Sequence, residues 1–337
     1  MATYKDIQAK TGLSLSTISK YYNGLPVREK NSQAIQAAAD ELGFRVNGFA
    51  RSLRSRKSLS VGVLLPDLEN IFHLTIVAGV EAALRSDGIS VLVCSSRPGP
   101  GDAVDFLMSK MVDGIIAVPT AGDVEALRAI ATQGMPVVTI DWTAPDLVTD
   151  SVVLDNVGAG AAVARHLVDH GHRRIAMVGG DPAVSTMRER AEGFRDALAV
   201  RGIELDARLV TTGPLTAENG QAATERLLAL PDRPTALFSA NYHLTLGALM
   251  AINDSGLRVP TDLSIVGFDS LELARTFRPR LTMFEQPTRA ITDEAARLIR
   301  GRLNGEIEGE TQNMRLSGRL LVGASVASLH EHPEHDG

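Results

Sequence analysis

Near its amino terminus the chain reads Tyr4-Lys-Asp-Ile-Gln-Ala-Lys-Thr-Gly-Leu-Ser-Leu-Ser-Thr-Ile-Ser-Lys-Tyr-Tyr22. Gly12-Leu13-Ser14 breaks this stretch into two short helical pieces, over 4–11 and 15–22. Ser14 suits the start of the second, because its hydroxyl accepts a backbone N–H left unpaired at a helix beginning. Ile7 and Ile18 are expected to pack between the pieces, while Ser16, Thr17 and Lys20 share one polar face. This spacing fits a helix-turn-helix, whose second helix can enter a major groove. The bland alternative is a small three-helix bundle with no nucleic-acid role. Asn23-Gly24 and Pro26 end the second helix, and a third is predicted from about Glu29 to Leu42. Ile35, Ala38, Ala39 and Leu42 form its apolar side and Gly43 closes it.

Charge separates this head from the rest. Residues 1–59 hold ten Lys/Arg and four Asp/Glu, a net of +6; the whole chain holds 34 and 40, which leaves 24 and 36, or −12, for the remainder. A basic head on an acidic body fits a head that meets a polyanion. The connector at 47–57, Asn-Gly-Phe-Ala-Arg-Ser-Leu-Arg-Ser-Arg-Lys, is too short and too charged to hold a helix alone. It is expected to stay disordered until a partner neutralises it.

From Leu59 the texture changes to short β-branched runs alternating with helical stretches. Ser60-Val-Gly-Val-Leu-Leu65 is followed by a helix at about 71–86, Ile89–Val93 by one at about 102–111, and Gly114–Val118 by one at about 123–133, before Val137–Ile140. A second series starts near Val152, with strands near 174–178, 208–212, 235–239 and 263–267 and helices near 157–170, 187–201, 217–229 and 243–255. The fold class is therefore α/β: two consecutive doubly wound parallel subdomains behind the helical head. Ligands bind beyond the carboxyl ends of such strands, so two facing units make a cleft. The domain boundaries expected are 1–46 for the head, 47–58 for a hinge or linker, 59–330 for the bilobed body and 331–337 for a polar tail.

Other classes are poorly served. Hydrophobic residues at 44% and charged residues at 22% describe a globular chain with ample core. No apolar run has membrane-spanning length and the start lacks a signal-peptide core, so a cytoplasmic protein with no membrane partner is expected. Cys94, the single cysteine, excludes a disulfide framework. The phosphate-loop, metalloprotease, nucleophile-elbow and complete dinucleotide-binding patterns are missing, so no enzyme and no cofactor is expected. His166, His170 and His172 have metal-like spacing, but His170-Gly171-His172 reads better as an ordinary helix end.

Lys5-Asp6-Ile7, Gly12-Leu13-Ser14, Thr17-Ile18-Ser19-Lys20, Asn23-Gly24, Glu41-Leu42-Gly43-Phe44, Asn47 and Ala50–Arg54 together resemble the headpiece and hinge of the LacI/GalR (lactose/galactose repressor) family. The resemblance runs on through Pro66-Asp67, Asn70, Phe72, Asp155-Asn156, Gly171–Ile175, Arg190–Phe194, Ala240-Asn241, Val266–Asp269, Leu281-Thr282 and Gln286-Pro287. It implies a periplasmic-binding-protein-like body, and a homodimer that binds a near-palindromic double-stranded DNA operator and answers to a small effector. The DNA-facing residues implied are Ser14, Leu15, Ser16, Thr17, Lys20, Asn23, Asn47, Arg51 and Leu53, with Leu53 as the apolar wedge of a minor-groove step. The chain departs from the family pattern at Gln8, where a small Ala is usual between the first two helices, and at Tyr242, where an Asp is usual.

Asp67, Phe72, Trp142, Asp155, Arg190, Asn241 and Asp269 lie near strand ends or on the helices that follow. Carboxylates, an amide and a guanidinium beside aromatic walls suit a polyhydroxylated, sugar-like ligand. The plain alternatives are that Trp142 is core, that the Asp residues cap strand ends, and that Arg190 pairs with Glu189 or Asp181. The reading is an effector-responsive regulator, a repressor, with a cytoplasmic solute-binding protein as the alternative.

Overall fold

A computed structural model describes residues 2–22, 25–44, 58–96, 102–143, 147–269 and 271–329. The chain divides into two compact units, 1–59 and 60–337.

The first unit is helical: α1 is Tyr4–Thr11, α2 Leu15–Tyr22 and α3 Glu29–Leu42. The N–H and hydroxyl of Thr3 donate to the Asp6 carboxylate at 2.7 and 2.8 Å, which fixes the entry to α1 and holds Asp6 below the usual carboxylate range. Gly12, at φ 69°, takes the left-handed turn that ends α1, a conformation that costs a residue with a Cβ. The Ser14 hydroxyl then accepts the Thr17 N–H at 3.2 Å, as its place before α2 predicts. Ile7, Ile18 and Ile35 are fully buried with Ala38 and Ala39 beside them. Gln8 is half-buried and leaves that core intact. Tyr4, Tyr22 and Phe44 enlarge it, with Tyr4 stacked on Tyr22 at 5.4 Å.

The second unit contains two six-stranded sheets. The first holds β1 Ser60–Leu65, β2 Ser90–Ser95, β3 Gly114–Ala117, β4 Val137–Ile140, β5 Asp150–Leu154 and β11 Asn313–Leu316, all parallel, in the order β11-β5-β4-β3-β1-β2. Alternation along β1 sends Val61, Val63 and Leu65 to one face and Leu64 to the other. The first face is covered by α4 Ile71–Arg85 and α12 Thr288–Asn304, the second by α5 Asp102–Ser109 and α6 Val124–Thr132.

The second sheet holds β6 Ile175–Val178, β7 Val210–Thr211, β8 Ala236–Ser239, β9 Ser264–Phe268, β10 Thr282–Glu285 and β12 Arg319–Leu321, in the order β12-β10-β9-β8-β6-β7. Only β12 runs antiparallel, against β10. α7 Asn156–Asp169 and α8 Ser185–Val200 cover one face, and α9 Ala217–Leu228 and α10 Tyr242–Ser255 the other. A short α11 spans Leu271–Thr276.

Two expectations need correction. The lobes are not consecutive: β5 belongs to the first sheet, and the segment from Thr288 to Leu316 returns to it after the second sheet is built. Ile291, Ala295, Leu298 and Ile299 of α12 supply apolar cover that the first sheet needs beside α4. The chain therefore crosses between lobes after β5, before α12 and after β11. The strand expected at 208–212 shrinks to two residues at the sheet edge, because Asp206 caps a 3-10 turn over Ala207–Leu209.

Candidate functional site

In the head, the inner side of α2 is fastened to α3: the Tyr21 hydroxyl donates to Gln36 Oε1 at 2.8 Å, and Gln36 donates on to Asp40. The outer side is left open. Leu15 is 39% exposed, Ser16 and Lys20 are exposed, and Thr17 is half-buried against the Ser14 hydroxyl at 2.9 Å. A rigid, exposed, polar first turn carrying a cation one turn on is what major-groove entry requires. Asn23, Asn47, Arg51 and Leu53 lie outside the described residues.

The body brings its polar residues together where the lobes meet. α7 and α8 approach closely because both contact positions are glycine. A Cβ on Gly193 would lie 2.0 Å from the Val157 carbonyl oxygen, and one on Gly160 would lie 2.1 Å from that of Arg190. This contact sets Arg190, which is only 2% exposed. Its Nε donates to Asn156 Oδ1 at 2.8 Å, its Nη1 to the Ala240 carbonyl at 2.7 Å, and its guanidinium lies 3.7 Å over the Phe268 ring. Glu189 hydrogen-bonds Arg315 instead and reaches Arg190 only through its charge, and Asp181 accepts the Ala183 N–H. Burial pulls the Arg190 pKa down, against the attraction of Asp269 and Asp141.

Asp269 follows β9 at φ 59° and accepts Gln286 Nε2 at 3.0 and 3.2 Å. Burial pushes its carboxyl up to about 6, although Arg190 and Gln286 favour the anion. Asp141 follows β4 at φ 55°; burial raises it too, opposed by Arg190 and His73. His73 is buried at the start of α4, with Nδ1 3.6 Å from Asp67 Oδ1, and burial lowers its pKa despite Asp67 and Asp141. Burial also works on Asp67, but the Glu69 N–H, His73 and the Asn70 N–H outweigh it and keep that carboxyl low. Asp67, His73, Asp141, Arg190 and Asp269 thus form one chain of electrostatic neighbours linking the lobes.

Several expected ligand residues also have structural work. Asp67 Oδ1 accepts the Glu69 and Asn70 N–H groups, Asp155 Oδ1 accepts that of Gly158, and Asn241 Oδ1 accepts those of His243 and Leu244. Trp142 packs on the first lobe's core. Four further residues complete the site: Asp141 and His73, which the sequence did not single out, and Asn156 and Gln286, which it marked only as part of the resemblance. Among the described residues, Asp141 Oδ1, Gln286 Oε1, His73 Nδ1 and Trp142 Nε1 are buried without a hydrogen-bond partner. Unpaired buried polar atoms are costly, and a polar ligand reaching these would satisfy them.

A cavity of about 730 Å³ adjoins this cluster. Phe72 and Asp269 line it together with Thr75, Tyr242, Gln286 and Arg319, whereas Asp67, Trp142, Asp155, Arg190 and Asn241 do not. Nearby, Thr143 N–H donates to Ser185 Oγ at 3.4 Å across the lobes. His170 Nδ1 lies 2.7 Å from the His166 carbonyl oxygen and His172 Nδ1 2.9 Å from Thr235 Oγ1, which ties these histidines into the helix end and its neighbour.

Known proteins share this fold. Residues 164–326 match the model of a periplasmic-binding-protein-like domain. Over 336 residues the chain is 30% identical to the HTH-type transcriptional repressor PurR of Photobacterium profundum, covering 98% of this chain and 100% of that one. It resembles the solved complex of the transcriptional regulator CelR with cellobiose at TM-score 0.74 and 30% identity, over 96% of this chain and 100% of that one. It resembles the lac repressor dimer bound to operator and the anti-inducer ONPF at TM-score 0.84 and 26% identity, over 97% of this chain and 99% of that one.

Proposed function

The chain belongs to the lactose/galactose repressor family, whose members here are DNA-binding transcriptional repressors and not enzymes, and we propose that it is a sugar-responsive repressor acting in the cytoplasm as a homodimer on a near-palindromic operator. The observation that carries this reading is whole-length similarity: relatives match the head and the body together. On this reading residues 1–46 bind DNA, 47–58 form the hinge and 59–330 bind effector and dimerise. Leu15, Ser16, Thr17 and Lys20 face bases and phosphates, Ser14 holds their helix start, and Asn23, Asn47, Arg51 and Leu53 extend the contact. In the cleft, Phe72 and Asp269 touch ligand directly. Arg190, Asn241, Asp67 and Asp155 hold the surrounding backbone and charge, and Trp142 offers its indole N–H.

Ligand that satisfies polar atoms on both lobes alters the setting of one lobe against the other. Hinge segments paired across a dimer respond to that setting, and about 1–3 kcal/mol of coupling suffices for control. Fluorescence anisotropy of the full chain on inverted-repeat DNA, with and without carbohydrates, tests the reading. Sequence-specific binding shifted by a carbohydrate is expected; binding that no carbohydrate alters would overturn the sugar-responsive part.

A further inference from the structure

Where β5 leaves the first sheet, the chain enters the second lobe through Leu154-Asp155-Asn156. Leu154 belongs to both lobes. Its backbone pairs with Leu316 in the first sheet, and its side chain is buried in the apolar core of the second lobe. Its N–H donates to the Asp141 carboxylate of the first lobe. Its carbonyl accepts a hydrogen bond from Nδ2 of Asn156, the first residue of α7, at 3.2 Å. The Asp155 N–H donates to the Leu316 carbonyl at 2.8 Å, so the first sheet grips the crossover up to the residue before α7.

Asn156 is 1% exposed and uses both ends of its amide. While Nδ2 holds Leu154, Oδ1 accepts Arg190 Nε at 2.8 Å. An amide offers a donor and an acceptor on one planar, uncharged group. A carboxylate in its place would lose the donor and add a third acid beside Asp141 and Asp269. Arg190 in turn draws on Asp269, which lines the cavity. Asn156 is not on that wall, so it acts through Arg190. The crossover into α12 carries an amide of its own: Gln286 donates to Asp269 of the second lobe and to Asp141 of the first. One crossing thus holds the acids and the other holds the cation. A rotation at Leu154 turns Asn156 with it, and the rigid Arg190 fork must follow or lose its Nε partner.

We propose that Asn156 is the positioning residue that couples the setting of the lobes to Arg190. With the amide intact, the crossover and the Arg190–Asp269 pair move together; without it, the lobes take settings that Arg190 does not select. The proposal rests on the effector-responsive reading above and adds the residue through which the response is carried.

Spin labels at Ala129→Cys on α6 and Arg226→Cys on α9, both exposed positions, report the distance between the lobes in a Cys94→Ser background. Labelled chain is diluted into excess unlabelled chain, so that only pairs within one chain are read. Asn156→Ala should shift the mean distance by about 2 Å or more, or split the distribution in two. Asn156→Asp keeps the acceptor facing Arg190 and loses the donor to Leu154, so it should resemble Asn156→Ala. Asn156→Ser, whose short hydroxyl cannot reach both partners, is read in place of a variant that fails to fold. Melting temperatures are measured alongside. A lowered melting temperature with an unaltered distance distribution would give Asn156 a structural role alone and overturn the proposal. A distribution from Asn156→Asp that matches the parent chain would reduce Asn156 to an anchor for Arg190 and overturn it as well. The measurement uses neither DNA nor carbohydrate, so its failure leaves the sugar-responsive reading standing, and failure of that reading in the anisotropy titration leaves these distances as they are.

Discussion

Arg315 of β11 meets Glu189 of α8 at 2.8 Å, and so joins the first lobe to the second one residue away from Arg190. Arg315 is partly exposed, so the pair is screened and contributes below about 1 kcal/mol to stability. Its position matters more than its strength, because any change in lobe setting must stretch or relieve it. Arg315→Glu should leave the melting temperature nearly unchanged and shift the half-effect concentration of effector by about two- to fivefold, the equivalent of up to 1 kcal/mol. Adding Glu189→Arg should restore the wild-type value. A single variant with unaltered effector response, measured by anisotropy on operator DNA, would remove this pair from the coupling.

Arg190 is a different case, because it is buried and counterbalances two acids. Truncating one partner of such a cluster leaves uncompensated charge and costs roughly 3–5 kcal/mol. Arg190→Ala should therefore destabilise the body by that order, and adding Asp269→Asn should recover part of the loss. Arg190→Lys should rescue poorly, since an ammonium cannot reproduce the forked contacts to Asn156 and Ala240 over the Phe268 ring. Denaturant unfolding of the three variants checks this; an Arg190→Ala protein as stable as wild type would contradict the buried cluster.

How much of this is legible in the sequence depends on what kind of signal each residue sends. Ile7, Ile18 and Ser14 declare themselves through helical spacing and a break, and β1 through its β-branched run. The return of α12 to the first sheet does not, because periodicity says which face of a helix is apolar and not which sheet it covers. Asp67, Asp155 and Asn241 are visible as polar residues at strand ends, but capping and ligand binding demand the same side chains there. Asp141 is unreadable as a site residue, and Gln286 is visible only as part of a motif, with nothing in it that marks a ligand contact. Their roles arise from a left-handed backbone at Asp141 and from burial of Gln286 beside Asp269, both products of tertiary packing.

His172 gives a pH prediction outside the cleft. It is 1% exposed, and its pKa falls to about 4, through burial first and then His170 and His166, against the Ala327 backbone. A histidine depressed in the folded state takes up a proton more readily when unfolded, so its contribution is complete above the unfolded pKa of about 6.5 and is lost as pH falls toward 4. Between pH 7 and pH 5 this group alone should remove about 2 kcal/mol. The depressed His73 and His166 work in the same direction and the raised Asp141 and Asp269 in the opposite one, so the wild type's total slope mixes them all. The comparison with His172→Gln isolates the histidine: the variant should lose less stability than wild type between pH 7 and pH 5. Equal slopes in paired unfolding curves would mean that His172 titrates normally.

The basic head should show itself in the salt dependence of binding. Residues 1–59 carry a net charge of +6, and Lys20 stands exposed one turn beyond the start of α2. If a dimer places about eight basic groups on phosphates, log affinity against log salt should fall with a slope near −7, because each neutralised phosphate releases about 0.9 counterion. Lys20→Ala, which removes one contact from each protomer, should reduce that slope by about 2 and weaken binding to all sequences alike if Lys20 meets phosphate. A Lys20 that reads a base edge would behave otherwise, with the slope nearly kept and about 1–3 kcal/mol of discrimination lost at one operator position. The buried Ile7–Ile18–Ile35 core does not involve this side chain, so folding of the head should be unaffected by the change. Anisotropy titrations at four salt concentrations, on operator and on scrambled DNA, separate the two contacts. A wild-type slope shallower than about −2 would count against the head as the DNA-binding surface.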